Sequence, residues 1–526
     1  MTQSRRSFMK KAGLGFLYLT TACTKADIYV GEFDFDDEDI SSNPSNPSDP
    51  SDPSNPANPV NPANPSYRYS LRYKSWEEIY TQEVYNHYDA QFKNADDYTH
   101  KIYIDPTYQG GSSDGTIEQP FTSLLDVPNQ SDTAYLIKRG TEHDISGEGY
   151  WKGLSRGDLM LGAYGEGEKP KLLGDRTLEM VGDRNLVRDI QFARIRMGKY
   201  GDPYSDDSII FNCISDGSAQ IVIWGRNNKI IGCEIKNKRV NGLFIQQGDL
   251  TRDSNTEVAY CYIHHVNQLW HGNGTPGGRI GQTPAGGDPI HIASRFRGHF
   301  WIHHNILDRS DTGNKFCFIV NTVEPAPVSG VFEYNHCLGP MSDPDSGNIL
   351  YIDGHKDTPF DSIIVRNNIM VGTYDPYSDK WTSRGIFVQY AKVEVYGNLI
   401  KDVTIGITRH HNAGGDSYFY NNTLIDVRES PDISAVLAGV HNNIFSQSSI
   451  RISGDHVRGN NIFLNDPSTL PENVFVDPAS EDYRLKENSP AINAGTWENY
   501  MDNNWNSDSL GNHVPQNNQI NIGCFQ

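Results

Sequence analysis

From about residue 187 the apolar positions of the chain recur with a period of two, in runs too short for helices. One short pattern repeats along these runs: an apolar residue, an Asn or Cys two or three places later, then a return to apolar. It is seen in Ile231-Gly232-Cys233-Glu234-Ile235, Ala259-Tyr260-Cys261-Tyr262-Ile263, Ile302-His303-His304-Asn305-Ile306 and Val395-Tyr396-Gly397-Asn398-Leu399. With the recurring position placed at 213, 233, 261, 305, 336, 368, 398, 422, 443 and 461, the spacings are 20, 28, 44, 31, 32, 30, 24, 21 and 18. A floor near 20 with variable excess predicts a coil of parallel strands stacked in register, whose insertions leave as loops. In such a stack each Asn side chain can hydrogen-bond to its equivalent on the next turn, and Cys213, Cys233 and Cys261 fill small interior slots as core residues.

Ahead of the repeats, Trp76, Ile79, Tyr80, Val84, Tyr88 and Phe92 fall on one stripe and predict a helix over 75–92, with Ser75 and Glu78 as its capping box. This helix is expected to cap one end of the β structure. Residues 41–66 carry a proline at every third position from Pro44 to Pro65, separated by Ser, Asn, Asp or Ala. That period suits polyproline II, which at ~3.1 Å per residue would reach roughly 70 Å. The N-terminus reads Ser4-Arg5-Arg6-Ser7-Phe8, then an apolar stretch to Leu19, then Thr20-Thr21-Ala22-Cys23. A basic region, a short apolar region and small residues before a Cys are the parts of a cleaved, twin-arginine-like export signal ending in a lipobox. The expected organisation is a signal at 1–22, a lipid-anchored tether and Pro-rich stalk at 23–66, and one β-helix domain at 67–526. The expected location is the bacterial cell envelope, at the outer membrane and cell surface, with Cys23 as the lipidated residue. No internal run of apolar residues is long enough to cross a bilayer.

The charge of −21, from 45 Lys+Arg against 66 Asp+Glu, argues against nucleic acid as a partner, because phosphate binding needs clustered positive charge. It leaves an anionic sugar open, since a local basic groove can sit on an acidic body. No C-x-x-C pair exists, so there is no zinc signature.

The stack resembles the right-handed parallel β-helix of the pectate-lyase-like superfamily. The likeness spans about 101–526. Its opening is Lys101-Ile102-Tyr103-Ile104-Asp105-Pro106 with Asp114-Gly115-Thr116 and Gln119-Pro120-Phe121. Its close is Asp482-Tyr483-Arg484-Leu485 with Ser489-Pro490-Ala491 and Asn521-Ile522-Gly523-Cys524-Phe525. The resemblance implies an all-β, single-stranded, right-handed parallel β-helix of about ten or more rungs. It does not fix a reaction, because the superfamily includes lyases, hydrolases, epimerases and fibres. In the chondroitinase-B and alginate-lyase family a Lys and an Arg stand on successive rungs. Asp288-Pro289-Ile290-His291-Ile292-Ala293-Ser294 follows the first strand, but Ala293 falls at the Lys position and Ile319 at the Arg position, so that family's catalytic residues are not carried over. Trp301-Ile302-His303-His304 echoes a pectate-lyase motif with His at its calcium-binding Asp.

Each rung also has a second strand, and with its aliphatic residues inward an outward row would include Phe244, His291, Lys315, Phe387 and Thr408, with Tyr351 and Asp353 ambiguous by one residue. In β-helix sugar enzymes the groove commonly runs across such a face. The longest insertion, Asn267 to Gly287, enters directly before Asp288 and His291 and carries Trp270, His271 and Arg279. The catalytic candidates are therefore His291, Lys315, Arg295, Asp288 and Asp353. The substrate-binding candidates are Trp270, His271, Arg279, Arg309, Tyr351, His355, Gln389 and Tyr390, with Tyr374, Tyr377 and Trp381 as further stacking platforms. For a uronate lyase, His291 or Lys315 would take the C5 proton, and Arg295, Arg297 or Arg309 would neutralise the substrate carboxylate. A cation, Ca2+ in the first instance, would replace Arg if Asp288 and Asp353 served as its oxygen ligands. A glycoside hydrolase would instead use two of Asp288, Asp311 and Asp353. A non-catalytic glycan-binding fibre is the third reading, and the pairs His264-His265, His303-His304 and His410-His411 are equally readable as ladder residues at equivalent turns. The expected partner is a polysaccharide or oligosaccharide substrate, with membrane contact through the lipid anchor only and a monomeric chain.

Overall fold

Three strands per turn build the molecule. A 14-stranded parallel sheet, sheet A, runs from His100–Ile104 to Val457–Gly459. The remaining long set of 25 strands divides into two parallel ladders, sheet B and sheet C, joined by an antiparallel contact of Tyr374 and Asp375 with Trp381 and Lys380. Together they form a right-handed parallel β-helix. The computed structural model describes residues 74–526 apart from 148–149, 175, 200–203, 239, 267–286, 294, 311–315, 323, 342–346, 376–379, 411–415, 428–432, 436–437, 447–450, 453–456, 515–518 and 526. The expected signal, Cys23, the stalk, Trp270, His271, Arg279, Asp311, Lys315 and Tyr377 lie outside the described residues.

The interior follows from alternation. In sheet A, Val258, Ile302, Phe332, Val365, Val395, Phe419 and Val440 are register partners on successive rungs, and all are buried. Stacking like on like at ~4.8 Å gives each side chain dry contacts above and below. The corner from sheet A to sheet B is made by one left-handed residue. Asn212, Gly232, Tyr260, His304, Tyr334, Asn367, Gly397, Asn421, Asn442 and Asn460 all have φ between 50° and 65°. The next residue points inward. At Asn305, Asn335, Asn368, Asn398, Asn422 and Asn443 the backbone N–H donates to the Oδ1 of the Asn one rung on, at 2.9–3.1 Å, and Nδ2 donates to the same oxygen. Cys261 joins the foot of this column, its N–H donating to Asn305 Oδ1 at 2.9 Å. Cys213, Cys233 and Cys261 are free, buried and bonded through Sγ to backbone carbonyls, so they are core residues, as expected.

The recurring position on one rung differs from the expected 336. Asn335 makes the ladder bonds, while His336 already belongs to the following strand and pairs with Ile306 and Ile369. The helical stripe is also differently used. It forms two helices, Trp76–Ile79 and Gln82–Asp89, interrupted at Tyr80, with the Ser75–Glu78 capping box present. They lie on the outer face of sheet A across several rungs, where Tyr88 packs with Leu136, Met160, Leu186, Phe211, Ile231 and Ala259. Trp76 Nε1 donates to the Tyr260 carbonyl at 2.8 Å, and Tyr88 donates to Glu257 at 2.9 Å. Further along the same sheet, Trp505, Met501 and Tyr500 of the C-terminal segment cover Tyr396 and Tyr420. Val474, Phe475, Ile522, Cys524 and Phe525 cover sheet B over Ile369, Leu399 and Ile444. None of these covering clusters draws in a described residue of sheet C.

One lysine departs from the apolar interior. Lys238 is fully buried, with Nζ on Ser215 Oγ at 2.8 Å and the Ala193 carbonyl at 3.2 Å. Burial holds its ammonium well below the ordinary value of 10.5, at about 7, against a smaller opposing pull from Asp216. Between those two pH values the unfolded chain carries a proton here that the folded chain lacks, so this residue's contribution to stability rises with pH across that window. Its penalty is fully present below the folded value. Lys238→Met is therefore expected to raise the melting temperature more at about pH 6 than at about pH 10; an equal shift at both would contradict the burial account. In the ladder, Asn398→Ala removes a donor from the Val365 and Tyr396 carbonyls, the acceptor of the Asn368 N–H and one of the acceptors of Asn368 Nδ2. It is expected to cost about 2–5 kcal/mol in urea unfolding, against about 1–2 for Asn461→Ala at the half-buried ladder end. Equal costs would contradict a cooperative ladder.

Candidate functional site

On sheet C the side chains sort into outward rows that the register makes explicit. Phe244, His291, Ile319, Tyr351, Phe387 and Thr408 form one row. Asn321, Asp353 and Gln389 form the next. Phe316, Asn348 and Arg384 form a third on the other side. Two neighbouring residues turn inward between the first and third of these rows: Cys317 with Phe318, and Ile349 with Leu350, all belong to the interior. This bend tilts the third row over the first. Phe316 stacks on Tyr351 at 4.8 Å between ring centroids, and Tyr351 on Phe387 at 5.3 Å with 13° between planes. The Arg384 guanidinium lies over Phe387 at 4.9 Å, with Nη1 donating to Asn348 Oδ1 at 3.3 Å. Beside this stack the half-buried Tyr351 hydroxyl donates to Asp353 Oδ2 at 3.0 Å.

A second polar line meets the same face from below. Asp288 is 1% exposed; its Oδ1 accepts from the Phe316 N–H at 3.2 Å, and Oδ2 stands 3.5 Å from His291 Nδ1. His291 Nε2 contacts Asn321 Oδ1 at 3.0 Å, and Phe244 meets the ring edge-on at 5.2 Å. Both ring nitrogens thus face protein groups. Asn321 in turn stands one rung below Asp353.

Of the expected residues, the structure gathers Asp288, His291, Tyr351, Asp353 and Gln389 on this one face. The place in the His291 row expected for Lys315 is taken on that rung by Ile319. Tyr351 and Asp353, ambiguous in the sequence, face outward in adjacent rows. Asp288 and Asp353 do not come together: they are separated by two rungs and five residues of register, about 16 Å along the strand and about 10 Å up the stack. One cation therefore cannot be shared between them, and among the described residues no group of three His, Cys, Asp or Glu side chains could hold a metal ion. Arg309, expected to touch substrate, is fully buried, because the chain turns inward after the sheet B strand Ile306–Asp308. Arg295 bonds Glu324 at 2.8 Å and Arg297 bonds Asp253 at 2.6 Å, both in the turns that leave sheet C. His355 and Tyr390 sit in such turns too, where His355 Nδ1 accepts from the Asp357 N–H at 3.2 Å and Tyr390 has φ of 46°. The pairs His264-His265 and His303-His304 make contacts within the fold, His264 with Glu234 at 3.2 Å, while His411 lies outside the described residues. His303 contacts Glu257 on sheet A, and His304 is stacked between Tyr260 and Tyr334, its imidazole pushed down by burial to about 3. Tyr374, 39% exposed, and Trp381 form an aromatic pair at the edge of sheet C, 5.3 Å between centroids. Asn321, Asn348, Arg384 and Phe316 escaped the sequence reading. Asn321 follows ordinary alternation from Ile319, whereas the only signal for the other three was the doubled inward position, which breaks strict alternation.

No protein-family model matches the chain, and no curated protein matches it. Among solved structures it is similar to the pectate lyase Pel9A, with 13% identity, 82% of this chain and 99% of that one covered, and a TM-score of 0.42. An alginate lyase of the PL6 family matches at 12% identity over 69% of this chain and 51% of that one, with a TM-score of 0.40. A lacto-N-biosidase from Eubacterium ramulus matches at 12% identity over 71% and 70%, with a TM-score of 0.33. At such identities these likenesses carry no argument about chemistry; the parallel β-helix rests on the strand pairing itself.

Proposed function

We propose that the protein is a polysaccharide lyase that cleaves an acidic, uronate-containing glycan by β-elimination along the outward face of sheet C. The observation that carries this reading is the Phe316–Tyr351–Phe387 stack, with Arg384 over one end and the Tyr351–Asp353 pair in its middle. The half-buried Tyr351 and the rim of this stack border the face along which an extended chain would lie, and rung spacing repeats the contact along it. Arg384, held over Phe387 and by Asn348, is placed to neutralise a C6 carboxylate, which makes the adjacent C5 proton acidic. Asp353 takes that proton; the C4–O4 bond breaks as the C4–C5 double bond forms, and the Tyr351 hydroxyl protonates the departing oxygen. Asp353 then returns its proton to Tyr351 across their hydrogen bond, restoring both groups. In this scheme Asp288, His291 and Asn321 position the neighbouring row. The separation of Asp288 from Asp353 favours elimination over hydrolysis, which needs two carboxyl groups within roughly 5–10 Å. The proposal includes export and anchoring through Cys23, with the Pro-rich stalk holding the β-helix away from the membrane.

The purified chain incubated with pectate, alginate, glycosaminoglycan and neutral glycans is expected to generate the ultraviolet absorbance of an unsaturated uronate from an acidic member only. Tyr351→Phe and Asp353→Asn are each expected to lower the rate by about 10²–10⁴ while leaving the melting temperature nearly unchanged. New reducing ends without that absorbance would transfer the assignment to hydrolysis, and no cleavage of any glycan would overturn it.

A further inference from the structure

The outer face of sheet A carries an aromatic side chain that the scheme on sheet C does not use. Trp301 is 41% exposed. An isolated exposed apolar residue is ordinary on a protein surface, but this one is fixed from two sides. Its Nε1 donates to Glu333 Oε1 at 2.7 Å, and Glu333 Oε2 accepts from Arg366 Nε at 2.6 Å. One ring face lies on His303 at 3.9 Å between centroids and 27° between planes, and His303 is held 3.3 Å from Glu257. The N-terminal helices and the C-terminal segment cover adjacent parts of the sheet, anchored at the Tyr260 carbonyl and at Tyr334, and neither closes over the indole.

The strip around Trp301 is built in register. Val331 and Ile364 continue its row on the next two rungs as a half-buried apolar floor. The parallel outward row is Asn255, His299, Ser329 and Ser362, with His299 Nδ1 3.0 Å from Ser329 Oγ. A rigid indole face beside a line of amide, imidazole and hydroxyl groups matches a pyranose, whose C–H face is apolar and whose rim is hydroxylated. Because the ring is already immobilised, binding loses little rotamer freedom there.

We propose that Trp301, with His299 and Ser329, forms a second, non-catalytic glycan-binding site on sheet A that holds one pyranose unit of a polysaccharide away from the sheet C groove. The inference does not rest on the cleavage chemistry. A chain held at two faces of one β-helix is retained at high effective concentration near the groove.

Fluorine NMR of the chain labelled with 5-fluorotryptophan tests this directly, with the resonance of Trp301 identified by its loss in Trp301→Phe. Titrations use hexasaccharides of galacturonate, mannuronate, β-1,4-glucose and β-1,4-xylose. The Trp301 resonance is expected to shift and saturate with at least one of them, to do so equally in Phe387→Ala, and to be unmoved in Ser329→Arg, where an added side chain fills the strip without touching the ring. Should Trp301→Phe fail to fold, Trp301→Tyr or Trp301→His, which likewise remove the fluorinated indole, supply the identification. A Trp301 resonance that no glycan moves, that moves only when Phe387 is intact, or that responds to an aromatic peptide and to no sugar would overturn the proposal. Because cleavage is not read, loss of lyase activity and loss of this site are separate outcomes.

Discussion

The register of the stack from Asn305 onward depends on the amide ladder at the corner between sheets A and B. Each interior Asn spends its Oδ1 on the rung before it and its Nδ2 on the rung after it and on backbone carbonyls such as those of Val258 and Ile302. A slip of one residue would put an apolar side chain in that slot and leave several buried donors and acceptors unpaired at once. The ladder therefore fixes where each turn begins, and residues equally distant from it stack. That is how Tyr351 and Phe387 come to stack as register partners although they are far apart in sequence, while Phe316 reaches Tyr351 from the third row through the doubled inward step. The column begins as Cys on the early rungs and changes to Asn at Asn305, the rung that also follows the longest insertion.

Division of labour among the three faces follows from what covers them. Sheet A is sheltered by the N-terminal helices and the C-terminal segment, and the ionic groups Lys229–Glu257 and Arg366–Asp502 tie rungs to each other and to that cover. Glu257 is held down to about 2, although its burial opposes this, because His303, Lys229 and Tyr88 all bond it. Sheet B is closed by the C-terminal residues. Sheet C carries outward rows in which aromatic, acidic, amide and guanidinium groups follow one another, and none of the described covering clusters reaches them. The overall charge of −21 is an average that says little about it.

The fold was legible because its repeat is a sequence repeat. Period-two apolar runs, the recurring Asn or Cys and a spacing floor near 20 are direct consequences of stacking. The misplaced rung shows the limit: Tyr334-Asn335-His336 offers a candidate at either of two positions, and only the left-handed Tyr334 decides for Asn335. The site was half legible. His291, Tyr351, Asp353 and Gln389 could be found because alternation predicts facing. Arg384 and Asn348 could not, since the doubled inward step at Cys317–Phe318 and Ile349–Leu350 reverses the parity on which facing was judged. Arg309 misled for a related reason: its charge suggested a surface, whereas the corner after Asp308 folds it inside.

The central claim is that the sheet C column binds a uronate chain with its carboxylate at Arg384 and its C5 at Asp353. A crystal structure of the Asp353→Asn protein with a bound uronate hexasaccharide tests it most directly. The account predicts sugar rings lying along Phe316, Tyr351 and Phe387, one carboxylate within hydrogen-bond reach of the Arg384 guanidinium, and the C5 hydrogen of that ring facing residue 353. Saccharide bound on sheet C with its carboxylates turned to solvent, or bound only on another face, would contradict it.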